Sequence, residues 1–100
     1  MDVAYRVDKD ILYIAVEGRI DASNAAAAEE KIFSIKNANP GKHTVVDADK
    51  LEYISSAGLR VLLGAQKKMQ KIGSMKVVNV CEAVMEVFEM TGFADILVIE

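Results

Sequence analysis

The sequence predicts a single α/β domain whose sheet opens with an antiparallel hairpin and continues with parallel strands joined by helices. Short runs rich in β-branched and aromatic residues alternate with longer runs that keep helical spacing. This order of strand, helix and strand repeats after the first pair of strands, which is typical of β-α-β crossovers in a mostly parallel sheet. A chain of 100 residues has the usual size of one domain, so we expect residues 1–100 to share one core.

The first element is a hairpin. Residues 3–7 and 11–17 have the composition of strands, and the polar residues 8–10 between them favour a turn. Gly18 follows the second run. We therefore expect the first strand to run antiparallel to the second and to lie at or near an edge of the sheet.

The next element is a helix over residues 22–37, where alanines and isoleucines recur at helical spacing. Asp21 or Ser23 can cap its start. Pro40 stops the helix, because proline lacks the backbone donor that the next turn would need.

The middle of the chain predicts a strand over residues 44–48 and a second helix over residues 57–72, with leucines along one side of the helix. Residues 49–54 carry the chain from the strand to the two serines at 55–56. These serines therefore stand at the entry to the second helix.

The last part of the chain repeats the pattern. Residues 75–80 predict a strand and residues 82–91 a third helix, with Gly92 as its C-terminal stop. Residues 96–99 predict a final strand.

The charge and composition exclude several classes of protein. The net charge is −3 and the basic residues are interleaved with acidic ones, so nucleic acid is not an expected partner. No apolar run approaches the ~20 residues that span a bilayer, and the start at Met1 lacks the features of a secretory signal. We therefore expect a cytoplasmic protein without membrane insertion. Cys81 is the only cysteine, which excludes an internal disulfide and zinc sites built from cysteine pairs.

Polar and small residues follow several of the predicted strands. Because the C-terminal ends of parallel strands share one edge of a sheet, where binding usually occurs in open α/β folds, we expect these residues to gather there. They are Asp21, Asp47, Asp49, Ser55, Ser56 and Cys81.

Ser56 is the residue that we expect to be most important for function. Serine is a favoured cap of helix starts, so either Ser55 or Ser56 can simply cap the second helix. The alternative is that the Ser56 hydroxyl is exposed at a binding edge, where a phosphoryl group would change the surface charge more than the fold.

A catalytic role is not expected. His43 is the only histidine, and it opens the third strand while Ser56 lies beyond the far end, roughly 15 Å or more away at ~3.3 Å per residue. The chain has no nucleophile elbow, no phosphate-binding glycine loop and no dinucleotide motif. It also lacks a cluster of metal-ligating residues, so neither a metal nor a cofactor is predicted.

Four segments together resemble the STAS domain, the family named for sulfate transporters and anti-sigma factor antagonists. The strongest is residues 51–64, LEYISSAGLRVLLG; the others are residues 16–21, 45–47 and 88–92. The resemblance covers nearly the whole chain. It implies the STAS-type mixed β-sheet.

Stand-alone domains of this family are typically bacterial anti-sigma factor antagonists. The resemblance implies that Ser56 is phosphorylated by a partner that is both anti-sigma factor and serine kinase. Only the unphosphorylated form would bind that partner and release the sigma factor, and a PP2C-type serine phosphatase would restore it. The family often has aspartate where this chain has Ser55, which is also a rival acceptor. The implied docking residues are Asp21, Asp47, Ser55, Ser56, Gly58 and Arg60.

Two further features leave alternatives open. Basic residues recur along the second helix at Arg60, Lys67 and Lys71, either as a solvated face or as an extension of the docking surface.

Stand-alone STAS domains also resemble accessory subunits of ABC-type lipid-transport complexes, which bind their ATPase without phosphorylation. The expected oligomeric state is a monomer or a weak dimer.

Overall fold

A mixed sheet with two helices packed on its buried face forms the core of the computed structural model, which describes residues 1–72, 74–95 and 97–100. The strands of the described part are β1 (Asp2–Asp8), β2 (Ile11–Ile20), β3 (His43–Asp47), β4 (Leu51–Ile54) and β5 (Met75–Val78). The helices are α1 (Ala25–Ala38), α2 (Ser56–Ile72) and α3 (Glu82–Met90), and a short 3-10 turn spans Phe93–Asp95.

The predicted hairpin is confirmed. Strands β1 and β2 pair antiparallel from Asp2 opposite Glu17 to Asp8 opposite Ile11, and β1 lies at the edge of the strand order β1-β2-β3-β5. Lys9 takes a left-handed φ of 56° in the turn. The first strand is thus antiparallel at an edge, as the sequence predicts.

Strand β2 extends beyond its predicted end at residue 17 because it serves two partners in succession. Its first half pairs in parallel with β3, up to Ala15 opposite Asp47. Its last residues pair in parallel with β4, and the register shifts between Gly18 and Arg19. Strand β4 itself lies in the segment predicted only to carry the chain to the serines. Two exposed residues between buried Leu51 and Ile54 obscure the alternation that marks a strand.

The C-terminal part departs from the predicted strands at two places. Strand β5 stops at Val78, and Asn79 then takes a left-handed φ of 59°. The prediction of a regular strand over residues 96–99 is wrong, because the described part of this segment pairs with the sheet only at Ile99, through a single parallel bridge to Val77. Ile96 lies outside the described residues.

Alternate residues of β2 supply the centre of the core. Leu12, Ile14 and Val16 are almost completely buried, while the residues between them are only partly buried. The core includes Ile32 of α1, Leu59 and Leu62 of α2. Both helices therefore cover one face of the sheet and set the position of the loops at its edge.

Candidate functional site

The start of α2 is fixed by Ser55. Its backbone N–H donates to the carbonyl of Ile20 at 2.8 Å, which ties the end of β4 to the end of β2. Its side-chain Oγ accepts a hydrogen bond from the Gly58 N–H at 3.3 Å, and its carbonyl accepts one from the Leu59 N–H at 2.9 Å. Ser55 is therefore the helix cap, which decides between the two capping residues that the sequence left open.

Ser56 is the first residue of α2 and is exposed, whereas Ser55 is half-buried. Within the described residues, the Ser56 hydroxyl has no hydrogen-bond partner. The backbone N–H groups of a first helical turn carry partial positive charge. The structure thus presents an accessible hydroxyl at a helix start whose capping is already done by its neighbour.

Gly58 is buried in the first turn of α2. A Cβ built there would lie 2.6 Å from Cγ2 of Ile20 and 2.8 Å from Cγ1 of Ile54, closer than carbon atoms approach without strain. The glycine therefore lets the helix start pack directly on the ends of β2 and β4. This packing positions Ser55 and Ser56. The contact of Gly58 with a partner stays a prediction.

Asp21 lies next to the helix entry. Ile20 and Ile54 are paired in parallel, so Asp21 and Ser55 leave neighbouring strands side by side, about 5 Å apart between the strand axes. The Asp21 carboxylate accepts hydrogen bonds from the hydroxyl of Ser23 and from its N–H. These bonds lower the pKa of Asp21 below its ordinary value, so Asp21 is charged at neutral pH.

Asp47 lies in a second group, farther back along the sheet. It ends β3 opposite Ala15, which precedes Asp21 by six residues of β2. At ~3.3 Å per residue this separation is roughly 20 Å. The Oδ1 of Asp47 accepts hydrogen bonds from the Asp49 N–H at 3.0 Å and from Nδ2 of Asn79 at 3.1 Å.

Cys81 lies with this second group. Its Sγ is 3.5 Å from the carbonyl of Leu51, at the start of β4, and it lines one surface depression together with Asp49. The structure therefore does not bring all six predicted edge residues together. Asp21, Ser55 and Ser56 share the α2 entry, and the other three follow β3 and β5, because β3 ends well before β4 does.

Arg60 is exposed one turn after Ser56 on α2. In the described part of the chain it has neither an ion-pair nor a ring partner, whereas Arg6 stacks on Tyr13 and Arg19 stacks on Tyr53. Lys67 is also exposed; the side chain of Lys71 lies outside the described ones. The basic residues predicted along α2 thus begin at the α2 entry with an arginine that forms no ion pair and no ring contact in the part of the chain that the structure describes.

Sequence reasoning did not single out Arg19 and Tyr53, which are paired between β2 and β4 just before the site. The Arg19 guanidinium lies 4.4 Å from the centre of the Tyr53 ring, and Tyr53 is 37% exposed. Tyrosine and arginine are among the residues enriched at binding hot spots. The signal in the sequence was an aromatic residue three positions before Ser56.

His43 is confirmed to be remote from Ser56. It starts β3 opposite Ile11, while Ile54 at the end of β4 lies opposite Ile20, so about 30 Å of strand separates the two ends at ~3.3 Å per residue. Its Nδ1 is 2.7 Å from Oγ of Ser74.

Among the described residues, no three metal-ligating side chains form a group, and no helix is both long enough and apolar enough to cross a bilayer.

Comparison of the whole sequence with known families finds the STAS domain, whose profile matches residues 2–100. Two curated relatives are similar over most of their length. The putative anti-sigma factor antagonist BtrV of Bordetella bronchiseptica is 34% identical over 88 residues, which cover 86% of this chain and 74% of that protein. The anti-sigma-B factor antagonist of Bacillus subtilis is 28% identical over 98 residues, which cover 97% of this chain and 88% of that protein.

Solved structures share the fold. The anti-sigma factor antagonist from Mycobacterium paratuberculosis superposes with a TM-score of 0.86 at 23% identity, covering 98% of this chain and 83% of that one. The unphosphorylated form of the anti-sigma factor antagonist SpoIIAA superposes with a TM-score of 0.78 at 17% identity, covering 99% and 88%. The predicted sheet, an antiparallel hairpin followed by parallel strands, is therefore confirmed.

Proposed function

Because the chain belongs to the STAS domain family, we propose that it is an anti-sigma factor antagonist whose binding is switched by phosphorylation of Ser56. The family match extends over residues 2–100, and a protein named as a putative anti-sigma factor antagonist is 34% identical over 86% of the chain. In the unphosphorylated form the domain binds an anti-sigma factor that is also a serine kinase, and the sigma factor is released. A PP2C-type phosphatase reverses the modification.

The exposed Ser56 hydroxyl at the first residue of α2 is the observation that carries this proposal. Ser55 already caps the helix through the Gly58 N–H. Modification of Ser56 therefore costs the fold no hydrogen bond. In the transfer, the Oγ of Ser56 forms a bond to the γ-phosphorus of ATP, the bond to ADP breaks, and the hydroxyl proton passes to a base on the kinase.

A phosphoryl group on Ser56 changes the surface more than it changes stability. It adds about −1.5 to −2 charges at pH 7. The α2 start favours this charge by about 0.3–1 kcal/mol, while the charged Asp21 on the neighbouring strand exit opposes it. Asp47, roughly 20 Å back along the sheet, lies beyond the ~8–10 Å Debye length at physiological salt.

The proposed docking surface is centred on the α2 entry. Asp21, Ser55, Ser56 and Arg60 supply its polar groups, and Gly58 supports them from below. Asp47 lies on the same edge of the sheet, roughly 20 Å from the α2 entry, and would extend the docking surface in that direction. The surface acts by binding, so the proposal needs no cofactor or metal on this chain and no catalytic residue. We expect the free domain to be cytoplasmic and to be a monomer or a weak dimer.

The kinase reaction tests the acceptor. We expect the chain, incubated with ATP and its candidate anti-sigma factor serine kinase, to gain ~80 Da by mass spectrometry, the mass of one phosphoryl group. Ser56→Ala should abolish the gain, because it removes the exposed hydroxyl. Ser55→Ala is the matched control and should keep the gain.

Two results would contradict the assignment. A mass gain that survives in Ser56→Ala and disappears in Ser55→Ala makes Ser55 the acceptor. No gain in the parent protein, together with binding to a lipid-transport ATPase, supports the accessory subunit that acts without phosphorylation.

A further inference from the structure

Arg60 and Ser56 lie on one face of α2. They are four residues apart within the helix (Ser56–Ile72), and both are exposed. Side chains at this spacing are neighbours, with Cβ atoms about 5–6 Å apart. An arginine side chain is long enough to span this distance.

The direction of the helix favours the contact. In an α-helix each Cα–Cβ bond tilts toward the N-terminus, so a side chain covers the turn that precedes it. For Arg60 that preceding turn begins at Ser56. An acidic group placed four residues before a basic one is also the better of the two orders for an ion pair on a helix.

Arg60 has no competing partner within the described residues. The two other arginines stack on tyrosine rings, at 3.9 Å for Arg6 and 4.4 Å for Arg19. Lys50 and Lys76 form ion pairs with Glu17 and Glu100. Among the described residues, a new anion beside Arg60 therefore displaces no ion pair and no ring contact.

Resting on the proposed function, we propose that Arg60 is the positioning residue for the phosphoryl group of phosphorylated Ser56 and holds it in an ion pair within α2. The planar guanidinium can donate two hydrogen bonds to phosphate oxygens, which lysine cannot do with the same geometry. Phosphorylation then changes the docking surface twice. It adds negative charge at residue 56 and withdraws the positive charge of Arg60 from the partner.

The alternative is that the backbone N–H groups of the α2 start hold the phosphoryl group by themselves. The two arrangements differ in their effect on the second ionisation of phosphoserine, which ordinarily has a pKa of about 6. A guanidinium paired with the dianion lowers that pKa, and its removal must raise it. The helix start is unchanged by a substitution at residue 60.

The test is a 31P NMR titration of the chain with phosphoserine installed at position 56 during translation, so that no kinase is needed. Arg60→Gln should raise the phosphoserine pKa by roughly 0.15–0.4, the size expected for an ion pair at this spacing. Lys67→Gln is the matched control, because it removes an exposed cation of the same helix that lies about 16 Å from Ser56 along the helix axis. Arg60→Lys should recover part of the shift, since it restores charge but not the paired hydrogen bonds.

An unchanged pKa in Arg60→Gln overturns the inference and assigns the phosphoryl group to the helix start. An equal rise in Lys67→Gln also overturns it, because the effect would then be general electrostatics. The titration does not depend on a kinase or partner. If the kinase does not phosphorylate the chain but Arg60→Gln raises the phosphoserine pKa, only the proposed function is refuted. If the kinase phosphorylates Ser56 but Arg60→Gln leaves that pKa unchanged, only the role of Arg60 is refuted.

Discussion

Two adjacent serines divide the work at the α2 entry. The Ser55 hydroxyl accepts the Gly58 N–H at 3.3 Å and is half-buried, whereas the Ser56 hydroxyl is exposed. The sequence identified both residues, but only the hydrogen bonds show that Ser55 caps the helix and leaves the Ser56 hydroxyl available for the proposed modification.

This division predicts unequal effects on stability. Ser55→Ala should lower the free energy of unfolding by about 1 kcal/mol, the typical cost of losing a helix cap. Ser56→Ala should change it by less than about 0.5 kcal/mol, as is usual for exposed positions without a special contact. Urea denaturation followed by circular dichroism measures both. Equal losses would show that the two hydroxyls share the capping role.

At the scale of elements, the contact between α2 and the strand ends sets the geometry of the site. Gly58 permits this contact, because a Cβ would lie 2.6 Å from Ile20 and 2.8 Å from Ile54. Both isoleucines are fully buried, so they have little room to move. Gly58 is one of the predicted docking residues, and the structure shows that its packing positions the start of α2.

The prediction at this scale concerns two glycines of the same helix. Gly58→Ala should destabilise the domain by about 1–3 kcal/mol through overpacking, reduced by up to ~1 kcal/mol because alanine favours helices. Gly64→Ala is the control, since nothing lies within 4 Å of its Cβ position, and it should be neutral or stabilising. Thermal and urea unfolding of the two variants decide the matter. A Gly58→Ala protein as stable as Gly64→Ala would contradict the packing role.

Strand β4 shows why a short strand can escape prediction even when the residues next to it are recognised. Leu51 and Ile54 face the core, but Glu52 and Tyr53 between them are both exposed, and the register of β2 shifts beside them. A bulge of this kind interrupts the alternation on which strand prediction depends. The segment forms a strand because the end of β2 offers it unpaired backbone groups.

At the scale of the whole molecule, the stagger between β3 and β4 separates two groups of polar residues on one edge. Asp21, Ser55 and Ser56 meet at the α2 entry, while Asp47 is paired with Ala15 roughly 20 Å back along β2. A phosphoryl group at Ser56 therefore acts on the first group alone. The fold can remain intact while the local charge of the docking surface changes.

Binding and folding should consequently respond differently to substitution of Ser56. Ser56→Asp should weaken binding to the anti-sigma factor kinase at least tenfold, because charge is added at the centre of the surface, with a melting temperature within a few degrees of the parent. Ser56→Ala should bind as the unphosphorylated parent does, and should keep binding after incubation with ATP. Calorimetric titration and thermal unfolding give the two readouts. If both variants bind as the parent does before and after ATP treatment, the switch is refuted.

The sequence by itself determined the α/β class, the opening hairpin, the three helices and the place of Ser55 and Ser56 at the entry to the second helix, because these depend on local spacing, turn residues and a contiguous motif. Only the tertiary structure decided that residues 51–54 form a strand, that Asp47 is separated from Ser56, that Gly58 is buried and that, among the described residues, Arg60 has no ion-pair or ring partner. The first three depend on which segments of β2 pair with β3 and with β4. That pairing is a contact between residues distant in the chain, so no local pattern specifies it.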